Sequence, residues 1–71
     1  MFLIWSHEHK AWWRPNSMGY TRELSNAGIY REDDAKEIVE RATLNWNLPP
    51  NELPVRIEDL PDAAKALVGQ L

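Results

Sequence analysis

The pattern of hydrophobic and polar positions near the start of the chain predicts a β-strand. In "FLIWSHEH" at residues 2–9 the side chains of an extended segment would alternate between two faces, and both faces are apolar at the start, which is typical of a strand that is covered on both faces. "AWWR" at residues 11–14 predicts a returning strand. Since neighbouring side chains of a strand point to opposite faces, Trp12 and Trp13 are expected on opposite sides of the sheet. At least one of them therefore lies away from the main core, unless both faces are covered.

A helical period follows in "EDDAKEIVERATLNW" at residues 32–46. Its apolar positions recur at the spacing of one helix face. They are Ala35, Ile38, Val39, Ala42 and Trp46. The opposite face is charged, and both Glu32→Lys36 and Glu37→Arg41 have the favoured i,i+4 order. The segment is predicted as the main helix.

Two further segments predict short helices. In "YTRELSNAG" at residues 20–28, Thr21 is a candidate N-cap and Gly28 a stop signal, which predicts one or two helical turns. "DLPDAAKALVGQL" at residues 59–71 predicts a C-terminal helix.

A third strand is predicted in "LPVRIED" at residues 53–59, where Pro54 favours an edge position. Its inward side chains are expected to be Leu53, Val55 and Ile57. The fold expected is α+β, a three-stranded antiparallel sheet with one main helix packed on it, in the order β-β-α-α-β. Residues 1–71 are expected to form a single domain, with 1–58 as its core and 59–71 as a C-terminal helical tail.

Composition and charge narrow the function classes. The 71 residues include four tryptophans and no cysteine, so aromatic side chains rather than disulfides are expected to stabilise a small core. Residues 1–31 carry a net charge of +2 and residues 32–71 carry −5. Acidic surfaces attract basic partners and repel nucleic acid. The opening residues are too short and too weakly basic for a signal peptide or a membrane span, so we expect a cytoplasmic protein without membrane contact.

The pair "HEH" is the one metal-like signal. His7 and His9 would share a face of an extended strand, and that spacing can chelate a transition metal. Zinc sites use four ligands, and the sequence marks no others. A polar hairpin turn explains the pair better, because two of the usual four ligands are a weak signal, and we expect no bound metal and no cofactor.

The motif "WWRP" is the main signal for nucleic acid. Trp12 and Trp13 could stack on unpaired bases while Arg14 contacts a phosphate. The net negative charge and the lack of a Lys/Arg cluster argue against this function. A tryptophan on the outer face would instead suit a protein interface, where Trp and Arg are enriched.

Catalytic patterns are not found. The chain has no cysteine, its serines lack a glycine-flanked nucleophile turn, and no phosphate-binding glycine loop exists. The adjacent acids Asp33 and Asp34 begin a helix, where the helix dipole explains them. We expect no enzymatic activity.

A set of residues in the first 42 positions forms a longer pattern. It follows W-S-x-E-H-x-x-W-W, then G-Y-T, A-G-x-Y and an E-A-x-x-I helix, with Asp34 in the place of the last Glu. The matching residues are Trp5, Ser6, Glu8, His9, Trp12, Trp13, Gly19, Tyr20, Thr21, Ala27, Gly28, Tyr30, Ala35 and Ile38. This stretch resembles a family of small, functionally uncharacterised proteins of phages, prophages and proteobacteria. The pattern departs at Arg31, where a serine or threonine cap is expected, which predicts that Asp33 caps a later helix start.

The resemblance implies a phage or prophage origin but no activity. Small, acidic, cysteine-free phage proteins often bind host proteins, and anti-CRISPR proteins, similar to this chain in size and charge only, are one such group. We therefore expect a protein-interaction module that binds a host protein, with inhibition of that protein as a consequence to test. The alternative is a small nucleic-acid-binding domain, and a homodimer through residues 55–58 or an exposed tryptophan stays open. The predicted binding residues are Trp12, Trp13, Arg14, Glu32, Asp33, Glu37 and Glu40.

Overall fold

One main helix packs on a four-stranded antiparallel sheet in the computed structural model, which describes residues 1–42 and 51–69. The strands are β1 (Phe2–Ser6), β2 (Ala11–Trp13), β3 (Tyr20–Thr21) and β4 (Glu52–Arg56). The helices are α1 (Glu32–Ala42) and the single turn α2 (Asp62–Lys65). Short 3-10 turns span Pro15–Ser17, Leu24–Asn26 and Ile57–Asp59. The α+β class and the main helix are thereby confirmed.

The strand order is β3-β2-β1-β4, so the first strand of the chain lies inside the sheet. Three strands are predicted and four are found. The additional strand is β3, which is too short, at two residues, to show a period in the sequence. The prediction of a helix that starts at Thr21 is wrong. Thr21 pairs with Trp12 in the sheet, and its hydroxyl accepts a hydrogen bond from the Glu23 amide at 3.1 Å. Only the 3-10 turn Leu24–Asn26 follows.

The core lies between β1 and α1. Its centre is formed by Ile4, Tyr30 and Ala35, and the apolar helix face that the sequence predicts is confirmed for Ala35, Ile38 and Val39. Trp46 lies outside the described residues, as does the side chain of Ala42. Leu3 and Ile4 are neighbours with 0% exposure, which confirms a strand covered on both faces.

The start of α1 differs from the prediction. The Ala35 amide donates to the Arg31 carbonyl oxygen at 2.8 Å, so the helix begins at Glu32 with Arg31 at the N-cap position. Asp33 is therefore inside the first turn and does not cap a later start. The three acids of the first turn, Glu32 to Asp34, favour this start because they face the positive end of the helix dipole.

Gly28 joins the loop after β2 to the core. Its amide donates to the Trp13 carbonyl oxygen at 2.8 Å. A Cβ atom at this position would lie 2.8 Å from both the Pro15 nitrogen and the Tyr30 ring, closer than real Cβ contacts allow. The Tyr30 hydroxyl donates to the Arg14 carbonyl oxygen and accepts from the Ser17 amide at 3.2 Å. The close approach at Gly28 and the two hydrogen bonds of the Tyr30 hydroxyl thus hold the loop against the core.

The strand β4 occupies an edge, as Pro54 predicts. The predicted inward position of Leu53 is wrong, since this side chain is 39% exposed, whereas Val55 and Ile57 are half-buried. Glu52 is buried instead, with 4% exposure. It pairs in register with Ser6, which is also buried, with 0% exposure.

Candidate partner-binding surface

The acidic face of α1 is the largest charged surface that the predicted site residues form. The helix turns its apolar residues to the sheet, so its acidic residues are left in solvent. These exposed residues are Glu32, Asp33, Asp34, Glu37 and Glu40. They alternate with only two basic residues of the helix, Lys36 and Arg41.

Intrahelical pairing neutralises part of this charge. Arg41 and Glu37 form an i,i+4 ion pair with a nitrogen–oxygen distance of 2.6 Å, which confirms one of the two predicted pairs. In the described part of the chain, Glu32 and Lys36 form no ion pair within 4.0 Å. Neither Asp33 nor Asp34 has an ion-pair partner there. The first turn of α1 is therefore the most negative part of this face.

A groove runs beside the acidic face, between α1 and the edge strand β4. Its walls are Phe2 and Pro54 from the sheet and Ala35 and Val39 from the helix. Its volume is about 250 Å³. The charged residues at its rim are Glu32, Lys36 and Glu40. Acidic charge and apolar surface thus meet along one side of the helix.

The tryptophans of the predicted site lie on opposite faces of the sheet, as the alternation predicts. Trp12 pairs with Thr21 and packs edge-to-face on Trp5, with ring centroids 4.9 Å apart. Trp13 lies on the α1 side and packs against the core. Trp12 therefore does not share a surface with the acidic face.

Neither tryptophan offers a free stacking surface. Both side chains are half-buried, and the Trp13 ring meets Tyr20 edge-to-face at 5.9 Å. The buried Trp13 Nε1 has no acceptor in the described part of the chain. Arg14 is exposed on the loop that Tyr30 holds. Of the aromatic motif, Arg14 is the residue most available to a partner.

A second cleft separates that loop from α1. It has a volume of about 480 Å³, and Asn16, Arg31, Asp34 and Glu37 are among the residues that line it. Asn16 and Ser17 have φ angles of 57°, in the left-handed region that favours glycine. Charges of both signs line this cleft, so it provides no single charge preference.

A polar cluster at the end of the sheet was missed by sequence reasoning. The Asn51 amide nitrogen donates to carboxylate oxygens of Glu8 at 3.3 Å and Glu52 at 3.0 Å. Tyr20 lies near both acids, and its ring stacks on His9 with centroids 3.8 Å apart. Burial, followed by the charges of Glu52 and Glu8, raises the pKa of Tyr20. The one available signal was Asn51, a turn former directly before the strand.

The two histidines do not share one face of an extended strand, which is the geometry that the metal-site hypothesis requires. His7 and His9 lie in the turn between β1 and β2 rather than on one face of a strand. Over residues 1–42 and 51–69, no group of three or more His, Cys, Asp or Glu side chains could hold a metal ion. In the same residues, no helix has the length and apolarity needed to cross a membrane.

Comparison with known proteins adds nothing to this geometry. No protein-family model, curated protein or solved structure matches the chain. The resemblance to small phage proteins thus rests on the sequence pattern alone and stays a prediction.

Proposed function

We propose that the chain is a non-enzymatic protein-interaction module, encoded by a phage or prophage, that binds a basic surface of a host protein through the acidic face of α1. The observation that carries the proposal is the first helical turn, where Glu32, Asp33 and Asp34 are all exposed. None of the three forms an ion pair within the described residues. Such a surface speeds encounter with a positively charged partner and selects against negatively charged ones.

The class of partner follows from the same charge. Proteins that bind nucleic acid expose basic surfaces for the phosphate backbone. An acidic module that covers such a surface competes with the nucleic acid. Inhibition of a nucleic-acid-binding complex, as anti-CRISPR proteins achieve, is the consequence we propose.

Direct nucleic-acid binding is the less supported function. The aromatic rings that would stack on bases are half-buried and packed edge-to-face on other rings. Phosphates would also approach a chain of net charge −3. Base stacking needs access to the π-face, so the partial burial of Trp12 and Trp13 weighs against it.

Charge reversal tests the proposal. We would tag the wild-type chain, a Glu32→Lys/Asp33→Lys variant and a control Asp59→Lys/Asp62→Lys variant, all exposed positions. The two variants change the net charge equally, and both alter helical first turns. Each tagged protein captures partners from a proteobacterial lysate, with and without nuclease, followed by mass spectrometry.

The expected result is a basic host protein that survives nuclease treatment with the wild type and the control. The α1 variant should bind this protein more than about tenfold more weakly, since opposed like charges cost several kcal/mol and 1.4 kcal/mol is a factor of ten. Equal retention by the α1 variant would contradict the site. Recovery of material only without nuclease would favour nucleic-acid binding instead.

A further inference from the structure

We infer that the groove between α1 and β4 receives an apolar side chain of the partner, carried on a helix with basic residues on both sides of that side chain. This inference rests on the proposed function and specifies the chemistry of the partner. It starts from the groove walls. Phe2 and Val39 are half-buried and pack against the Ile4–Tyr30–Ala35 core, so two of the groove walls rest directly on the buried core.

The size of the groove favours a side chain over a free small molecule. Small-molecule sites usually have volumes of about 300–1,000 Å³. The groove has about 250 Å³ and is lined mainly by carbon atoms of Phe2, Ala35, Val39 and Pro54. A few side chains that fill well-packed, desolvated pockets contribute most of the binding energy of protein interfaces.

The backbone of β4 argues against an added strand as the occupant. The Asn51 carbonyl oxygen accepts a hydrogen bond from the His7 amide, and the Ile57 amide donates to the Met1 carbonyl oxygen, so the main-chain groups of the odd-numbered residues face β1. Because the pattern of an antiparallel ladder alternates, the main-chain groups of Glu52, Pro54 and Arg56 face the open edge. Pro54 has no amide hydrogen, so a strand added here would lack its central hydrogen bond. A helix makes no such demand on the edge.

The charges at the rim define the spacing of the partner's basic residues. Glu32, Lys36 and Glu40 recur every fourth residue, a rise of about 6 Å per step, so the Cα atoms of the two glutamates are about 12 Å apart along the helix axis. A partner helix comes close to this distance with cations at i and i+7, about 10.5 Å apart along its own axis, and i+3 and i+4 lie on the same face between them. Lys36, between the two acids, is the one rim charge that opposes a basic partner.

A set of synthetic helical peptides tests the inference on the full-length wild-type protein. The first peptide is alanine-based, about 15 residues long because shorter isolated helices are marginal, with Lys at i and i+7 and Leu at i+3 and i+4. The second replaces both Leu residues with Ser, and the third replaces both Lys residues with Glu. Binding is followed by NMR, through the methyl signals of Ala35 and Val39 and the fitted dissociation constants.

We expect the Lys–Leu peptide to shift both methyl signals and to bind at least about tenfold more tightly than the Lys–Ser peptide, a difference of about 1.4 kcal/mol. Lys36→Glu should tighten binding of the Lys–Leu peptide severalfold, whereas the control Asp62→Lys should leave it unchanged. Both substitutions are at exposed positions, so the fold is not at risk.

The failures of the two proposals give different results. Equal binding of the Lys–Leu and Lys–Ser peptides, or unmoved methyl signals, would overturn the groove while the acidic face stands. Equal binding of the Lys–Leu and Glu–Leu peptides would count against the acidic face itself. Absence of binding by every peptide would overturn the groove as a helix-docking site.

Discussion

Removal of one hydroxyl group, in Tyr30→Phe, should destabilise the fold by an amount that the structure defines. Tyr30 is a buried core residue, and its hydroxyl donates to the Arg14 carbonyl oxygen and accepts from the Ser17 amide. Each hydrogen bond contributes about 0.5–1.5 kcal/mol net. Both loop residues are exposed, so water can partly replace the lost partner. We therefore expect a loss of about 1–2 kcal/mol.

That loss is large for a chain of this size. Domains have unfolding free energies of about 0.05–0.15 kcal/mol per residue, and the midpoint temperature shifts by about 4–8 °C per kcal/mol in domains of 60–100 residues. Urea denaturation followed by tryptophan fluorescence measures the loss directly. With a slope of about 1 kcal/mol per molar, the urea midpoint should fall by about 1–2 M.

The second tyrosine provides a matched control. Tyr20 is 39% exposed, and its hydroxyl makes no hydrogen bond within the described part of the chain. Tyr20→Phe should change the stability near neutral pH by no more than about 0.5 kcal/mol, as is usual for surface substitutions. If the two variants have the same midpoint, the Tyr30 hydroxyl does not hold the loop and the reasoning is refuted.

Three more outcomes follow from local geometry. Gly28→Ala should cost about 1–3 kcal/mol in urea denaturation through overpacking against the loop; an unchanged midpoint would mean that the loop yields. Ser17→Gly should raise thermal stability by about 0.5–1 kcal/mol, since glycine relieves the left-handed φ angle, and a loss would show that this angle is unstrained. Because the pKa of Tyr20 is raised, the folded chain binds the phenol proton more tightly than the unfolded chain. The tighter proton binding adds to the free energy of unfolding; this contribution is complete below pH 10.0 and is lost as pH rises through the folded pKa. Tyr20→Phe should therefore reduce the loss of stability at alkaline pH, as measured by urea denaturation at a series of pH values.

The elements with strong periodicity could be predicted from the sequence. β1 and α1 follow the apolar spacing, because enough residues repeat the pattern to define a face, and β2 is predicted as the strand that returns after the turn. β3 could not be predicted, since two residues show no period. The hydroxyl of Thr21 suits an N-cap, which predicts a helix after it. The same hydroxyl accepts a local hydrogen bond after a strand, and tertiary pairing with Trp12 decides between the two.

The candidate site could be predicted only in part. The exposed acids of α1 follow from helical periodicity, which needs no knowledge of distant residues. The groove could not be foreseen, because Phe2 and Pro54 become neighbours only through the pairing of β1 with β4. The same pairing buries Glu52 and exposes Leu53, against their polarity. Long-range register, rather than local pattern, decides these positions.

The inner position of β1 has a consequence for the order of events in folding. β1 and β2 are joined by a four-residue turn and can pair early, whereas β1 and β4 are about fifty positions apart. Until β4 docks, the main-chain groups of Leu3 and Trp5 on that side have no ladder partner. A partly synthesised chain therefore exposes an apolar strand edge until residue 56 has left the ribosome. During that interval, protection from aggregation must come from outside this sheet.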